Sequence, residues 1–134
     1  MRAIRRNGYQ LLIGENSTEL FNYFGVDELH GLSKSKSEQY TDTPESAYIR
    51  GMSNLSPKNP NGLPYVFFNK KRLNGTYRDV TNLMHEYLHL SRILFKDIND
   101  DNEEEIVQFI EDEVNWIIDN GVIGIFEQPS TKYM

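Results

Sequence analysis

The 134-residue chain contains no cysteine, and this absence removes several classes of function at once. Without thiols the protein has no disulfides, no zinc ribbon and no cysteine nucleophile, a composition that suits a reducing compartment. No apolar run approaches the ~20 residues of a membrane-spanning helix. The basic residues near the start are not followed by the apolar stretch of a secretion signal. We therefore expect a cytoplasmic protein with no membrane partner.

Basic residues are also in deficit. The chain carries 14 Lys and Arg against 20 Asp and Glu, which gives a formal net charge of −6. Broad electrostatic attraction to nucleic acid is therefore not expected. Hydrophobic residues make up 38% of the chain and charged residues 25%, as in ordinary folded proteins. The length predicts a single domain over 1–134, with a frayed tail at about 127–134.

Local patterns predict an α+β fold. Apolar runs predict strands over 9–13 and 65–68, and a capping signal predicts a short helix over 17–24 that stops at Gly25. Residues 31–43 lack an apolar period and predict a surface loop, whereas Pro44 predicts a short helix over 45–51. Two long helices are expected over 76–96 and 102–120, joined by the acidic loop 97–101, with 122–126 docking as an extended segment.

The residues that carry chemical information are His85, Glu86 and His89, which match the pattern H-E-x-x-H. Two imidazoles four positions apart project to one side of a helix and can bind a single metal ion, while the intervening Glu is placed to handle a water proton. On a helical wheel the pair shares a stripe with Asn82 and Ile93, and apolar residues fill most of the remaining arc. This distribution predicts that the stripe is partly covered and that the imidazoles have partners.

A catalytic zinc site needs a third protein ligand. His30, the only other histidine, lies far upstream and is expected to be a surface residue. If the two long helices run antiparallel, Glu111 lies level with the region between the two histidines, and its same-face neighbours are apolar. Glu111 is therefore the predicted third ligand, and Glu104, two turns earlier on the same face, is the alternative. Asp112 and Glu113 are predicted to point away as solvated charges.

These residues resemble a known family. The run from His85 to His89, followed by Glu111 and then Asn115 four residues later, is similar to the small gluzincin-type zinc metallopeptidases, especially the ImmA/IrrE-like group. Val114, Ile117 and Ile118 replace the Ala, Phe and Ala of that group's second-helix pattern. The resemblance covers about 64–118. It implies a minimal zincin-like domain, in which a small sheet with an edge strand packs on the active-site helix and an antiparallel second helix carries the third ligand.

The expected activity is zinc-dependent hydrolysis of a peptide bond in a protein or peptide substrate, and a regulatory protein is one candidate partner. His85, His89 and Glu111 would hold Zn²⁺, and Glu86 would take the proton of the bound water. Asn115 is either a support for a ligand imidazole or a surface amide. The candidates for stabilising the oxyanion are Tyr77, Arg78 and Tyr87, which are chosen only by their position in the sequence. The sequence does not assign the role to any of them. Residues 65–69 are either an edge that pairs with substrate or a buried strand.

Two other readings remain open. The chain is alternatively a non-catalytic zincin-like module that binds a regulatory partner, although the intact Glu86 argues against this. In the third reading the histidine pair is structural and binds no metal. The pair Phe109 and Trp116 is expected to pack against the tail rather than to bind a ligand. The sequence does not define the oligomeric state.

Overall fold

The computed structural model describes residues 1–29, 32–40, 48–51, 63–73, 75–96 and 98–122. Helices and strands are both present, which confirms the mixed α and β class. The chain forms two compact units, Met1–Arg72 and Leu73–Met134. The single domain over 1–134 stays a prediction. No helix in the described ranges combines the length and apolar character needed to cross a membrane.

The first unit is built on a four-stranded sheet with the order β1-β2-β6-β5. Its strands are β1 (Arg2–Arg5), β2 (Gln10–Gly14), β5 (Tyr48–Gly51) and β6 (Tyr65–Asn69). β2 and β6 pair in parallel, and the two outer strands are antiparallel to their neighbours. Every residue of β2 and β6 is buried, because continuous apolar strands belong in the centre of a sheet.

The helix α1 (Ser17–Phe24) covers part of this sheet and has the predicted bounds. Asn16 caps its start by accepting a hydrogen bond from the Glu19 backbone N–H at 3.2 Å. Gly25 ends the helix in the left-handed conformation, with φ of 67°. The apolar face of α1 joins the core of the unit, which includes Leu12, Leu20, Phe21, Phe24, Leu29, Tyr65 and Phe67.

The surface loop predicted over 31–43 is wrong where the structure describes it. Strands β3 (Glu28–Leu29) and β4 (Leu32–Ser33) form a small antiparallel pair, and a 3₁₀ helix follows over Lys34–Tyr40. Ser37 is 2% exposed, and its hydroxyl donates a hydrogen bond to the Lys34 carbonyl at 2.9 Å. The two serine hydroxyls of Ser17 and Ser37 are 3.0 Å apart. Polar contacts therefore hold the segment, and apolar periodicity does not reveal them.

The short helix predicted over 45–51 is wrong where the structure describes it. Residues 48–51 form β5, since pairing with β6 outweighs the local helix signal; 45–47 lie outside the described residues. Residues 65–69 are expected to be either an edge that pairs with substrate or a buried strand, and the structure shows the buried strand. β6 is hydrogen-bonded on one side to β2 and on the other to β5, so its two edges are occupied.

The second unit contains the two long helices α2 (Tyr77–Leu94) and α3 (Glu103–Asp119), close to the predicted bounds. Phe109 of α3 contacts the ring of Tyr87 in α2 and that of Phe95, the residue that caps the end of α2, with ring centroids 6.5 Å and 5.7 Å away. The chain reverses between the helices at Lys96, which has a φ of 66°. The helices form a hairpin, and the tail docking predicted for 122–126 lies outside the described residues apart from Val122.

Replacing Gly14 by Ala tests the packing of α1 on the sheet. A Cβ atom at this position would lie 2.7 Å from Glu19 Oε2 and 2.9 Å from Phe67 Cε1. Because Phe67 is fully buried, we expect Gly14→Ala to lower the free energy of unfolding by about 1–3 kcal/mol. Urea denaturation followed by circular dichroism measures the change.

The matched control is Lys70→Ala, which removes only the exposed ion pair between Lys70 and Glu15. We expect a change below about 1 kcal/mol for this variant. Equal effects of the two substitutions would contradict the close approach at Gly14.

Candidate metal centre

The start of α2 sets the direction in which its histidines project. Thr76 caps the helix, its hydroxyl accepting a hydrogen bond from the Arg78 backbone N–H at 3.3 Å. The Gly75 N–H donates to Asp79 Oδ2 at 2.8 Å, and Asp79 is only 1% exposed. These contacts fix the first turn, and with it the rotational phase of every later residue of the helix.

The buried side of α2 is narrower than its composition predicts. Leu83, Tyr87 and Leu90 are fully buried, whereas Met84 and Leu88 are 50% and 45% exposed. The expectation that apolar residues bury most of the circumference is therefore wrong. The reason is that the buried residues of α2 form a single side of the helix, and Tyr87 on that side meets Phe109 of α3.

The two histidines of the motif come together. His85 is exposed and His89 is half-buried, and their Nε2 atoms lie 3.2 Å apart. The rings are nearly perpendicular, with an interplanar angle of 79° and centroids 4.7 Å apart. Two imidazole nitrogens bound to one tetrahedral Zn²⁺ at their usual bond lengths are separated by about 3.3–3.4 Å. The separation of the two nitrogens is therefore compatible with binding to a single ion.

The same distance also suits a hydrogen bond between the rings. If His85 and His89 are neutral and one carries its proton on Nε2, that N–H donates to the other Nε2 at 3.2 Å. This is the metal-free reading of the pair, and it requires no other ligand. Metal binding would replace this contact, so the two readings make opposite predictions for zinc content.

Glu86 differs sharply in exposure from His85. It is 6% exposed, one position along the helix from an exposed imidazole. Its carboxylate therefore sits on the flank between the buried side of α2 and the histidine side. A carboxylate that is withdrawn from bulk water and adjacent in sequence to a histidine is a candidate proton acceptor.

The predicted third ligand does not join the histidines. Glu111 is exposed on α3, where it lines a groove together with Met84 of α2. Glu104, the alternative, is also exposed. Within the described ranges, no group of three His, Asp or Glu side chains is positioned to hold a metal ion. His30 lies outside those ranges, so the structure brings together His85 and His89 alone.

The prediction for Glu113 is wrong. This residue is 1% exposed, whereas its neighbour Asp112 is exposed as predicted. The cause is helical phase: Ile106, Glu113 and Ile117 form the buried side of α3. Together with the half-buried Ile110 they repeat at alternating spacings of four and three residues, so Glu113 falls within an apolar seam. That spacing was the signal available in the sequence.

The other residues considered for the site differ in the exposure of their side chains. Tyr87 is fully buried, which confirms its place in the core, and Tyr77 is 74% exposed. Asn115 is exposed and lines the same groove as Glu111. Phe109 contacts the rings of Tyr87 and Phe95. The tail against which Phe109 and Trp116 are predicted to pack lies outside the described residues apart from Val122.

No family model, curated protein or solved structure matches this chain.

Glu113→Lys tests the buried position of this carboxylate. A lysine there would place a long cation among apolar side chains, and we expect the free energy of unfolding to fall by about 3 kcal/mol or more. The control is Asp112→Lys, which makes the same change in charge at an exposed neighbour and should cost less than about 0.5 kcal/mol. Urea midpoints measure both. A Glu113→Lys protein as stable as the control would place this side chain in solvent.

Proposed function

We propose that the protein is a cytoplasmic zinc-dependent peptidase that hydrolyses a peptide bond in a protein substrate. The observation that carries this proposal is the 3.2 Å separation of the His85 and His89 Nε2 atoms, close to that required by one tetrahedral ion. The buried Glu86 beside the pair supplies the expected proton acceptor. The proposal includes a zincin-like arrangement of the helices.

In this proposal His85, His89 and Glu111 hold the ion. When bound, Zn²⁺ lowers the pKa of a coordinated water and polarises the scissile carbonyl. Glu86 takes the water proton and delivers it to the leaving amine, so the same carboxylate acts first as base and then as acid. His85 and His89 must remain neutral to bind through Nε2. Glu111, whose side chain is exposed, would complete the donor set, and Glu104 is the alternative ligand.

A second candidate function is a non-catalytic module that binds a regulatory partner. It is favoured by the exposed apolar side chains of Met84, Leu88 and Val107, which are 50%, 45% and 50% exposed. Large apolar side chains that lie together in water often mark binding surfaces. This candidate does not require Glu86 to act as a base.

Zinc content tests the histidine pair. Protein purified without added metal should contain about one zinc per chain by elemental analysis. His85→Ala and His89→Ala should each lose the metal, because each removes one nitrogen donor. The matched control is His30→Ala, which should retain it. Metal-free wild-type protein that also fails to bind added Zn²⁺ would support the structural reading of the pair.

Glu86→Gln separates chemistry from metal binding. We expect this variant to keep its zinc and to lose cleavage by at least about 100-fold, because the amide cannot accept the water proton. The substrate is a proteome-derived peptide library, and mass spectrometry counts new peptide termini. Exposed Glu105→Gln serves as the control and should cleave like the wild type. Equal cleavage by the wild type and Glu86→Gln would contradict the peptidase proposal.

The third ligand is tested by comparing carboxylates of α3. Glu111→Gln should weaken zinc binding by about 10- to 100-fold, whereas Glu104→Gln and Asp112→Asn should leave it unchanged. Competition with a chromogenic chelator measures the affinities. Loss of zinc in Glu104→Gln with retention in Glu111→Gln would move the assignment to Glu104.

A further inference from the structure

Charge is distributed very unevenly along the chain. The unit Met1–Arg72 contains 10 basic and 7 acidic residues, whereas Leu73–Met134 contains 4 basic and 13 acidic residues. Helix α3 is the extreme case, since its 17 residues include seven acids and no Lys or Arg. Six of those acids lie in the exposed positions 103, 104, 105, 111, 112 and 119, so this helix presents a strongly negative surface.

An apolar groove lies on this acidic hairpin. It has a volume of about 330 Å³, and it is lined by Met84, Val107, Ile110, Glu111, Val114 and Asn115. Met84 and Val107 are each 50% exposed, so the walls of the groove reach solvent. A volume of this size accepts one bulky apolar side chain together with part of its backbone.

The polar side chains that line the groove indicate which chemical groups it can bind. An ionised carboxylate such as that of Glu111 accepts hydrogen bonds and donates none, so it favours a cationic neighbour. Asn115, one turn further along α3, offers both a donor and an acceptor and can hydrogen-bond a peptide backbone. An apolar floor with one carboxylate and one amide is complementary to an apolar side chain next to a basic residue.

We propose that this groove binds a segment of a partner protein in which a bulky apolar side chain is flanked by Lys or Arg. The apolar side chain occupies the space between Met84, Val107 and Val114. A basic residue pairs with Glu111, the carboxylate that lines the groove. This binding needs no metal ion, so it goes beyond the proposed peptidase function and does not depend on it.

Charge complementarity selects this occupant over two others. A second copy docked symmetrically, groove against groove, would bring two negative α3 helices together, which like-charge repulsion opposes. The chain's own residues 123–134 contain one acid, Glu127, and one base, Lys132, so they carry no net positive charge. Only a basic segment adds electrostatic attraction to apolar burial.

The test uses fluorescein-labelled peptides and fluorescence anisotropy with the full chain in EDTA. One peptide has a Leu-Phe core with two Lys on each side, and the other has the same core with Glu in place of Lys. The Glu86→Gln protein is used, so that cleavage cannot affect the reading. We expect the basic peptide to bind at least about tenfold more tightly than the acidic one, and to weaken as salt is added.

Substitutions in the groove test whether the basic peptide binds there. Val107→Ser should weaken the basic peptide by about five- to tenfold, through loss of buried apolar area. Glu111→Gln should weaken it about threefold, through loss of one charge pair. The matched controls are Ile98→Ser, an apolar residue 40% exposed outside the groove, and Asp112→Asn, the neighbouring exposed acid; both should bind like the parent.

Several outcomes would overturn the proposal. Equal affinity for the two peptides, or equal losses in Val107→Ser and Ile98→Ser, would remove the groove as a basic-peptide site. A more than fivefold gain in peptide affinity on Ile125→Ser with Phe126→Ser would assign the groove to the C-terminal segment. A dimer in sedimentation that Val107→Ser dissociates would assign it to a second copy. A wild-type protein that binds no zinc would contradict the proposed peptidase function. The peptide-binding measurements in EDTA would not be affected.

Discussion

The separation of two imidazole nitrogens on α2 is the constraint on which the functional interpretation depends. An α-helix places residues four positions apart on neighbouring turns, and the rotamers of His85 and His89 bring their Nε2 atoms to 3.2 Å. No fold-level likeness is needed for that argument, because it follows from bond lengths and helical geometry. The helix cap at Thr76 and the buried Asp79 fix the first turn and so orient both rings.

Helix α3 carries carboxylates in two different environments. Glu113 is buried in the seam that contains Ile106 and Ile117, whereas Glu111 and Asp112 are exposed on other sides of the helix. Neighbouring residues of identical charge therefore have separate roles: one belongs to the interior, and the exposed ones set the potential of the surface. The acidic surface lies beside apolar side chains, which is why the groove favours a partner that combines both characters.

Local patterns in the sequence predict much of the fold, but of the three residues in the proposed donor set the structure brings together only the two histidines. The bounds of α1 follow from Asn16 and Gly25, and β6 follows from its apolar run, because each signal acts within a few residues. β5 was missed because its pairing partner is distant in sequence. The histidine pair follows from spacing within one helix. The position of Glu111 depends on the rotation of α3 about its own axis, and an error of two residues exchanged exposed and buried carboxylates.

The pairing of β2 with β6 has a consequence for how the protein is made. Gln10 of β2 is paired with Tyr65 of β6, so the two central strands of the sheet are separated by a long stretch of intervening chain. During synthesis, β2 must wait for that stretch to leave the ribosome before its partner exists, and its apolar residues are exposed to chaperones meanwhile. The helical hairpin needs only contacts between adjacent segments and closes quickly once translated. Nascent chains that stall before Asn69 are therefore the species most exposed to aggregation.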